Sequence, residues 1–316
     1  MEVSITAKER FCKDCNIPLR LFQEPYFTDR LKLYDKFYGT LEKWDLFVKE
    51  LGKYPCEQDY FEEYNRVKDN AISFIQNTEA FQRFNAEDMN KYHILHENLP
   101  AKDIFKASNA GKDFLSIDMK KANFSSLKYY DAAIFHGAGT WEEFIGEYTN
   151  NRHIIESKYI RQVILGNCNP KKHITYEKYL MDMVLSHIEK YDISRWKIVF
   201  FSNDEIIFDV TDMKDLKEIL YSCRFLESDI EEHFNIPVRA EYFHLQKIEG
   251  TDGYFKEAIN TDDEVEIEFK CLDNYVLPFV IRKYLGEEIM DSDRVFYHEG
   301  LLAQFIEVPQ IGVKGF

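Results

Sequence analysis

Apolar residues recur along this chain in two rhythms, and the change from one to the other falls near residue 110. Before it they return every three or four positions. Leu41, Trp44, Leu46, Phe47 and Val48 form one such set, and Tyr60, Phe61, Tyr64, Val67, Ala71, Ile72 and Ile75 a longer one, with charges on the opposite side. That spacing matches the turn of an α-helix with one buried face. Residues 1 to about 100 therefore predict a mostly helical region. The aromatic series Tyr60, Phe61, Tyr64, Phe81 and Phe84 predicts packing, and Arg66, Lys68 and Arg83 a solvated helix surface. Pro100, Asn109 and Gly111 mark 91–112 as an irregular connection.

After the connection, short apolar runs alternate with helical patterns. A strand over 114–118 ends in Asp118, and a polar turn leads through Ala122, Asn123 and Phe124 into a helix. Trp141, Phe144 and Ile145 have helical spacing behind a capping box of Thr140 and Glu143. A helical segment from Ser157 stops at Gly166, and a loop with Asn167, Asn169 and Pro170 precedes a helix from about Thr175 to Tyr191. Two β-branched and aromatic runs, Ile198 to Phe201 and Ile206 to Phe208, flank Ser202-Asn203-Asp204-Glu205 and read as strands joined by a tight turn. A helix over 213–226 follows, then alternating strands at 242–248 and 265–269 and an apolar run over 272–281 that packs. The fold class is α+β: a helical N-terminal region, an antiparallel sheet with helices on one face, and a C-terminal extension.

Composition narrows the function classes. With 316 residues and 45% hydrophobic content, the chain can bury a large core. It has no apolar run of membrane-spanning length and no apolar leader, so a soluble, intracellular (cytoplasmic) protein without a membrane partner is expected. The six cysteines are scattered apart from Cys12 and Cys15, which argues against a disulfide framework and reads as ordinary cysteines before a zinc pair. His136 and His153 stand apart from other ligand types and are taken as non-ligands. A net charge of −16 excludes a broad basic footprint. Nucleic acid, if bound, must meet a local basic groove.

Three stretches carry candidate chemistry. Asp118 closes a buried strand, where an unpaired carboxylate is costly unless a metal, a cation or a hydrogen bond compensates it; Lys120 and Lys121 are the nearest neutralisers. Lys158, Arg161, Lys171 and Lys172 surround the loop of Gly166 and Asn167, a combination of cations and open backbone N–H groups that suits phosphate. Asp204 and Glu205 place two carboxylates in a strand-to-strand turn, which alone is ordinary hairpin chemistry.

Taken in order, these stretches resemble motifs A, B and C of the palm of nucleic-acid polymerases. Asp118 with Asn123 and Phe124 is similar to motif A of reverse transcriptases, 165–170 to their Gly-to-Pro motif B loop, and Asp204-Glu205 followed by Ile206, Ile207 and Phe208 to motif C of family A DNA polymerases. The family A fingers helix with its spaced Arg and Lys has no counterpart. The resemblance implies a helical region over 1–110, a palm-like catalytic domain over 111–250 and a C-terminal extension over 251–316. It implies nucleotidyl transfer to DNA or RNA from nucleoside triphosphates, with Mg²⁺ or Mn²⁺ held by Asp118 and Asp204 and with Glu205 as an accessory catalytic carboxylate. Two such ions, about 3.5–4 Å apart, serve the attacking hydroxyl and the leaving group. Asn123 and Phe124 would meet the sugar, and Lys158, Arg161, Gly166, Asn167, Lys171 and Lys172 the phosphates.

Two other readings remain open. Asp252 with Glu268 and Lys270 fits the loose Asp…Glu-x-Lys pattern of metal-dependent nucleases, although a solvated Glu/Lys strand face has the same pattern. A catalytically silent palm-like binding scaffold is the other, and the acidity of the chain favours it.

Overall fold

A computed structural model of the chain describes residues 3–312. Its N-terminal part is helical, as the three-and-four spacing predicts: α1 (Ile5–Asp14), α2 (Tyr26–Tyr38), α3 (Thr40–Leu51), α4 (Glu57–Asn77) and α5 (Glu79–Ala86). In α4 the buried residues are Tyr60, Tyr64, Val67, Ala71 and Ile75, one continuous stripe. Gly39 ends α2 in the left-handed region at φ 56° and begins α3 directly, a corner that a side chain would strain.

The second part is built on one antiparallel sheet. β1 (Lys112–Met119) is followed by α6 (Ala122–Tyr130), α7 (Trp141–Gly146), α8 (Arg152–Glu156), α9 (Lys158–Gly166) and α10 (Pro170–Ile188). The hairpin β2 (Lys197–Phe201) and β3 (Glu205–Asp209), then α11 (Leu216–Phe234) and β4 (Val238–Lys247) complete a β-α-β-β-α-β path. β5 (Tyr254–Asn260) and β6 (Val265–Lys270) extend the sheet beyond residue 250, giving the order β2-β3-β1-β4-β5-β6. The expected α+β class, with helices against one face of an antiparallel sheet, is the observed one.

Strand alternation divides the work of the two faces. Leu115, Ile117, Met119, Ile206, Phe208, Val238 and Ala240 point into the large core shared with α6, α10 and α11. Phe114, Ile207, Phe243 and Leu245 lie on the opposite face, where Ile104 and Phe105 of the irregular connection cover them. The same face also carries Ser116, Asp118, Glu205, Arg239 and Glu241, by register. The sheet thus presents a polar patch beside an apolar one, on the side without helices.

The C-terminal residues add α12 (Leu277–Leu285) and a hairpin of β7 (Val295–His298) and β8 (Leu301–Gln304). One core cluster runs from Ala7 to Ile281. No helix among the described residues is long and apolar enough to cross a membrane.

Candidate functional site

The polar patch owes its shape to the end of β1. Asp118 is the penultimate residue of that strand and faces Glu205 on β3 and Arg239 on β4. The Met119 N–H donates to the Asp204 carbonyl at 2.8 Å, which brings the hairpin turn alongside the end of β1. Within the turn the Ser202 hydroxyl accepts from the Glu205 N–H at 3.0 Å and donates to Asp204 Oδ1 at 3.0 Å. The turn is held by its own side chain, and Asp204 is aimed by it.

The nearby cations are spent elsewhere. Lys120 pairs with Glu227 at 2.9 Å and Lys121 with Glu142 at 2.7 Å, so neither neutralises Asp118. Arg239, directly across the ladder, is committed to Glu241 and Glu266 at 3.0 and 2.7 Å. Buried Lys256 binds Glu241 and Glu268. Burial, reinforced by the charges of Glu205, Asp204 and Glu241 and opposed by Lys256, pushes the Asp118 carboxyl up to about 7. Glu205 is also raised, mainly by burial, although the Ser116 hydroxyl donates to it at 2.7 Å. The cluster holds more negative charge than its own cations balance.

Asp118 and Asp204 open onto a cleft of about 360 Å³. Asn123, Lys158, Arg161 and Gly166 line the same cleft, so six residues expected from three separate stretches meet at one place. Lys158 and Arg161 come from successive turns of α9, which starts at the Ser157 cap. Arg161 is half-buried, its Nε has no hydrogen-bond partner, and burial pulls its pKa down against the charge of Glu142. Asn123 Oδ1 accepts the Phe124 N–H at 3.0 Å, which fixes the carboxamide at the first turn of α6.

Other expected residues lie outside the cleft. Phe124 is buried in the core, its ring 4.6 Å from that of Phe135 and 6.0 Å from that of Trp141, because the first turn of α6 carries it onto the helix-covered side. Glu205 stands next to Asp118 on the sheet and does not line the cleft. Asn167 folds back to cap its own helix, Nδ2 donating to the Val163 carbonyl at 2.8 Å. Lys172 donates to the carbonyls of Asn85 and Glu87 at 2.5 and 2.6 Å, which ties α10 to α5, and Lys171 is exposed on the outer side. Of the nuclease-like set, Glu268 is clasped by Lys256 and Lys270, whose charges outweigh burial and hold it down to about 2; Asp252 is exposed in the turn before β5 and bonded to neither.

Two residues of α10 reach the cleft unannounced. Glu177 is 3% exposed, accepts from Asn203 Nδ2 at 2.7 Å, and is pushed up to about 7 by burial with a contribution from Asp204. His173, one turn earlier, is buried with no partner at Nε2 and is held down to about 4 by burial. The signal for both was their phase: they fall on the stripe of Tyr176, Leu180, Met181 and Val184, where charge is not expected.

The Cys12 thiol is buried in α1 and pushed far up, and burial raises Cys15 to about 12. His136 pairs with Glu147 at 2.9 Å and His153 with Asp14 at 3.2 Å. Among the described residues no group of three or more His, Cys, Asp or Glu is arranged to hold a metal ion. The cleft is lined by three carboxylates of the described residues, Asp118, Asp204 and the buried Glu177 that accepts from Asn203, and Mg²⁺ asks for only one or two from the protein when phosphates and water complete its shell. Asp118, half-buried among like charges and paired with no cation among the described residues, is the kind of donor that a divalent ion would satisfy. Compared with known proteins, the chain matches no family model, no curated protein and no solved structure.

Proposed function

We propose that this chain is a palm-type nucleotidyltransferase that extends a nucleic acid, DNA or RNA, from nucleoside triphosphates. The observation that carries the reading is the opposed lining of the cleft. Asp118 and Asp204, paired with no cation among the described residues, share the cleft with Lys158 and Arg161, for which no described carboxylate lies within hydrogen-bonding distance. A ligand that brings both divalent cations and a polyphosphate satisfies the two walls at once, and a metal-bound nucleotide is such a ligand. The β-α-β-β-α-β path supports it, because it brings Asp118 near the end of β1 alongside Asp204 in the turn that leads into the neighbouring β3, in the order of motifs A and C.

Asp118 and Asp204 would hold Mg²⁺ or Mn²⁺, which when bound supplies Lewis-acid activation of a hydroxyl and charge neutralisation on the transferring phosphoryl group. The chain's own groups do the rest. Lys158 and Arg161 bind the polyphosphate and stabilise the charge that builds on it during transfer. Asn123, at the start of α6, offers a carboxamide to the sugar. Glu177 and Asn203 form the floor beneath Asp204 and keep its turn in place.

Incubation with primed and unprimed DNA and RNA templates, all nucleoside triphosphates and Mg²⁺ or Mn²⁺ tests this reading. Incorporation is expected, falling on the order of 100- to 1000-fold in Asp118→Asn and in Asp204→Asn. No incorporation on any template, with nucleotide binding retained, would assign the cleft to binding alone.

A further inference from the structure

A second concavity, of about 1500 Å³, lies between the helical region and the edge strand β6. Its helical bank is the segment after α1 and the corner between α2 and α3, and its strand bank is Val265–Lys270. Gln162 of α9 lines both this groove and the cleft, so α9 is the partition between them, with Lys158 and Arg161 on one side and Tyr159 on the other. At the far end Arg20 and Tyr297 also line a hollow of about 450 Å³ beside β7. Cleft, groove and hollow therefore adjoin in that order, sharing Gln162 at one junction and Arg20 and Tyr297 at the other.

We propose that together they form a track that holds a single strand of nucleic acid and leads it past Gln162 to the cleft, an assignment that rests on the nucleotidyltransferase reading. Charge is the first argument. The acids along the groove are already matched: Glu9 by Lys13, Glu266 by Arg239, and Glu268 by Lys256 and Lys270. Among the described residues, Arg20 and Lys36 are exposed and pair with no carboxylate, and the Lys43 ammonium donates only to the Tyr38 carbonyl. Three uncompensated cations therefore follow one groove in a chain of net charge −16. Aromatic rings are the second argument. Phe22, Tyr159 and Tyr297 stand along the same path, and Tyr297 is 46% exposed. Cations that track a backbone, interleaved with rings on which bases stack, are how sequence-tolerant single-strand sites are built. A duplex keeps its bases stacked on one another and offers only phosphates and groove edges, so the rings would have no use for it.

The test measures binding of fluorescently labelled oligo-dT and oligo-rU to the full chain by anisotropy, without nucleotide or divalent metal, across a salt series. Single strands are expected to bind more tightly than a duplex of equal length and more tightly than inorganic polyphosphate. The triple variant Arg20→Ala/Lys36→Ala/Lys43→Ala should weaken binding at least tenfold and reduce the salt slope by about 2, from three cations at about 0.7 each. Tyr297→Ala should weaken single strands and leave polyphosphate unchanged. All these side chains are on the surface; Lys36→Glu alone provides a second reading if the triple variant melts early. Equal binding of wild type and the charge variants, or of duplex and single strand, or of polyphosphate and single strand, would overturn the proposal. Binding of a manganese-nucleotide complex, measured separately, distinguishes the two readings. If it is retained while strand binding is absent, the track is wrong and the cleft stands; if the strand binds and no nucleotide does, the nucleotidyltransferase reading fails instead.

Discussion

Asn123 and Phe124 are adjacent in sequence and opposite in environment. One faces the cleft, and the other fills a core contact with Phe135 and Trp141. A gate for the sugar must touch the sugar, so the choice between ribose and deoxyribose falls to Asn123 if the cleft takes a nucleotide. A carboxamide that bonds a 2′ hydroxyl discriminates against the analogue lacking it, whereas a ring would exclude the hydroxyl by contact. Asn123→Ala is expected to shift the ratio of NTP to dNTP incorporation toward dNTPs by about tenfold, with little change in unfolding midpoint. Phe124→Ala should instead lower stability by about 3–5 kcal/mol, as truncation of a buried ring does, without relaxing sugar choice. A Phe124→Ala protein as stable as wild type that newly admits NTPs would return the gate to Phe124.

At the scale of the element, α10 sets two titrating groups one turn apart with opposite linkage. His173 is held down to about 4 from an ordinary value of 6.5, so between those values the unfolded chain takes up a proton that the folded chain refuses. Its contribution to stability is complete above about pH 6.5 and is lost, by about 3 kcal/mol, as the pH falls toward 4. Glu177 is raised from 4.5 to about 7, so the folded chain holds a proton that the unfolded chain has released. Its contribution is complete below about pH 4.5 and is lost, by a similar amount of about 3 kcal/mol, as the pH rises toward 7. Urea unfolding in the presence of a chelator reads both. Relative to wild type, His173→Gln should gain stability as the pH is lowered, and Glu177→Gln as it is raised; a shared direction would sink the assignment of buried, unmatched groups to this helix.

The same helix shows what the sequence made legible and what it did not. The sequence predicts a helix from about Thr175, but the helix begins at Pro170, because a proline after two asparagines reads as loop until its role as the first helical residue is known. β1 and the β2–β3 hairpin follow from short apolar runs, and β4 and β6 from two-residue alternation. β5 does not, because its central Lys256 is buried, and only the partners Glu241 and Glu268, distant in sequence, make that tolerable. For the cleft, Asp118, Asn123, Lys158, Arg161, Gly166 and Asp204 were readable from order along the chain. Asn167 and Lys172 were not, because their direction is set by bonds to their own helix and to α5.

For the whole molecule, the question is whether helical region, sheet and C-terminal residues unfold as one. Arg30 of α2 and Asp293, 3% and 1% exposed, meet at 2.7 Å, and Arg282 of α12 donates to the same carboxylate at 3.0 Å. One acid thus joins residues from both ends of the chain beneath a shared core. Removing it leaves a buried guanidinium without its counter-charge, which costs about 3–5 kcal/mol where the pair is fully desolvated. Asp293→Ala should therefore lower the urea midpoint of a single transition, seen alike by tryptophan fluorescence, which reports Trp44 in α3, Trp141 in α7 and Trp196 before β2, all outside the C-terminal residues, and by far-UV circular dichroism. Asp293→Asn, which keeps an acceptor and loses the charge, should fall between the two. Arg30→Met combined with Asp293→Leu, which removes charge from both sides, should recover part of the loss, with Arg282 near the surface able to turn to Glu287. A C-terminal region that folds by itself predicts a different record: an early transition in circular dichroism for Asp293→Ala while the fluorescence midpoint stays at the wild-type value. That outcome would divide the molecule at the contact between α2 and α12 and would remove the support that β7 and Tyr297 lend to the end of the groove.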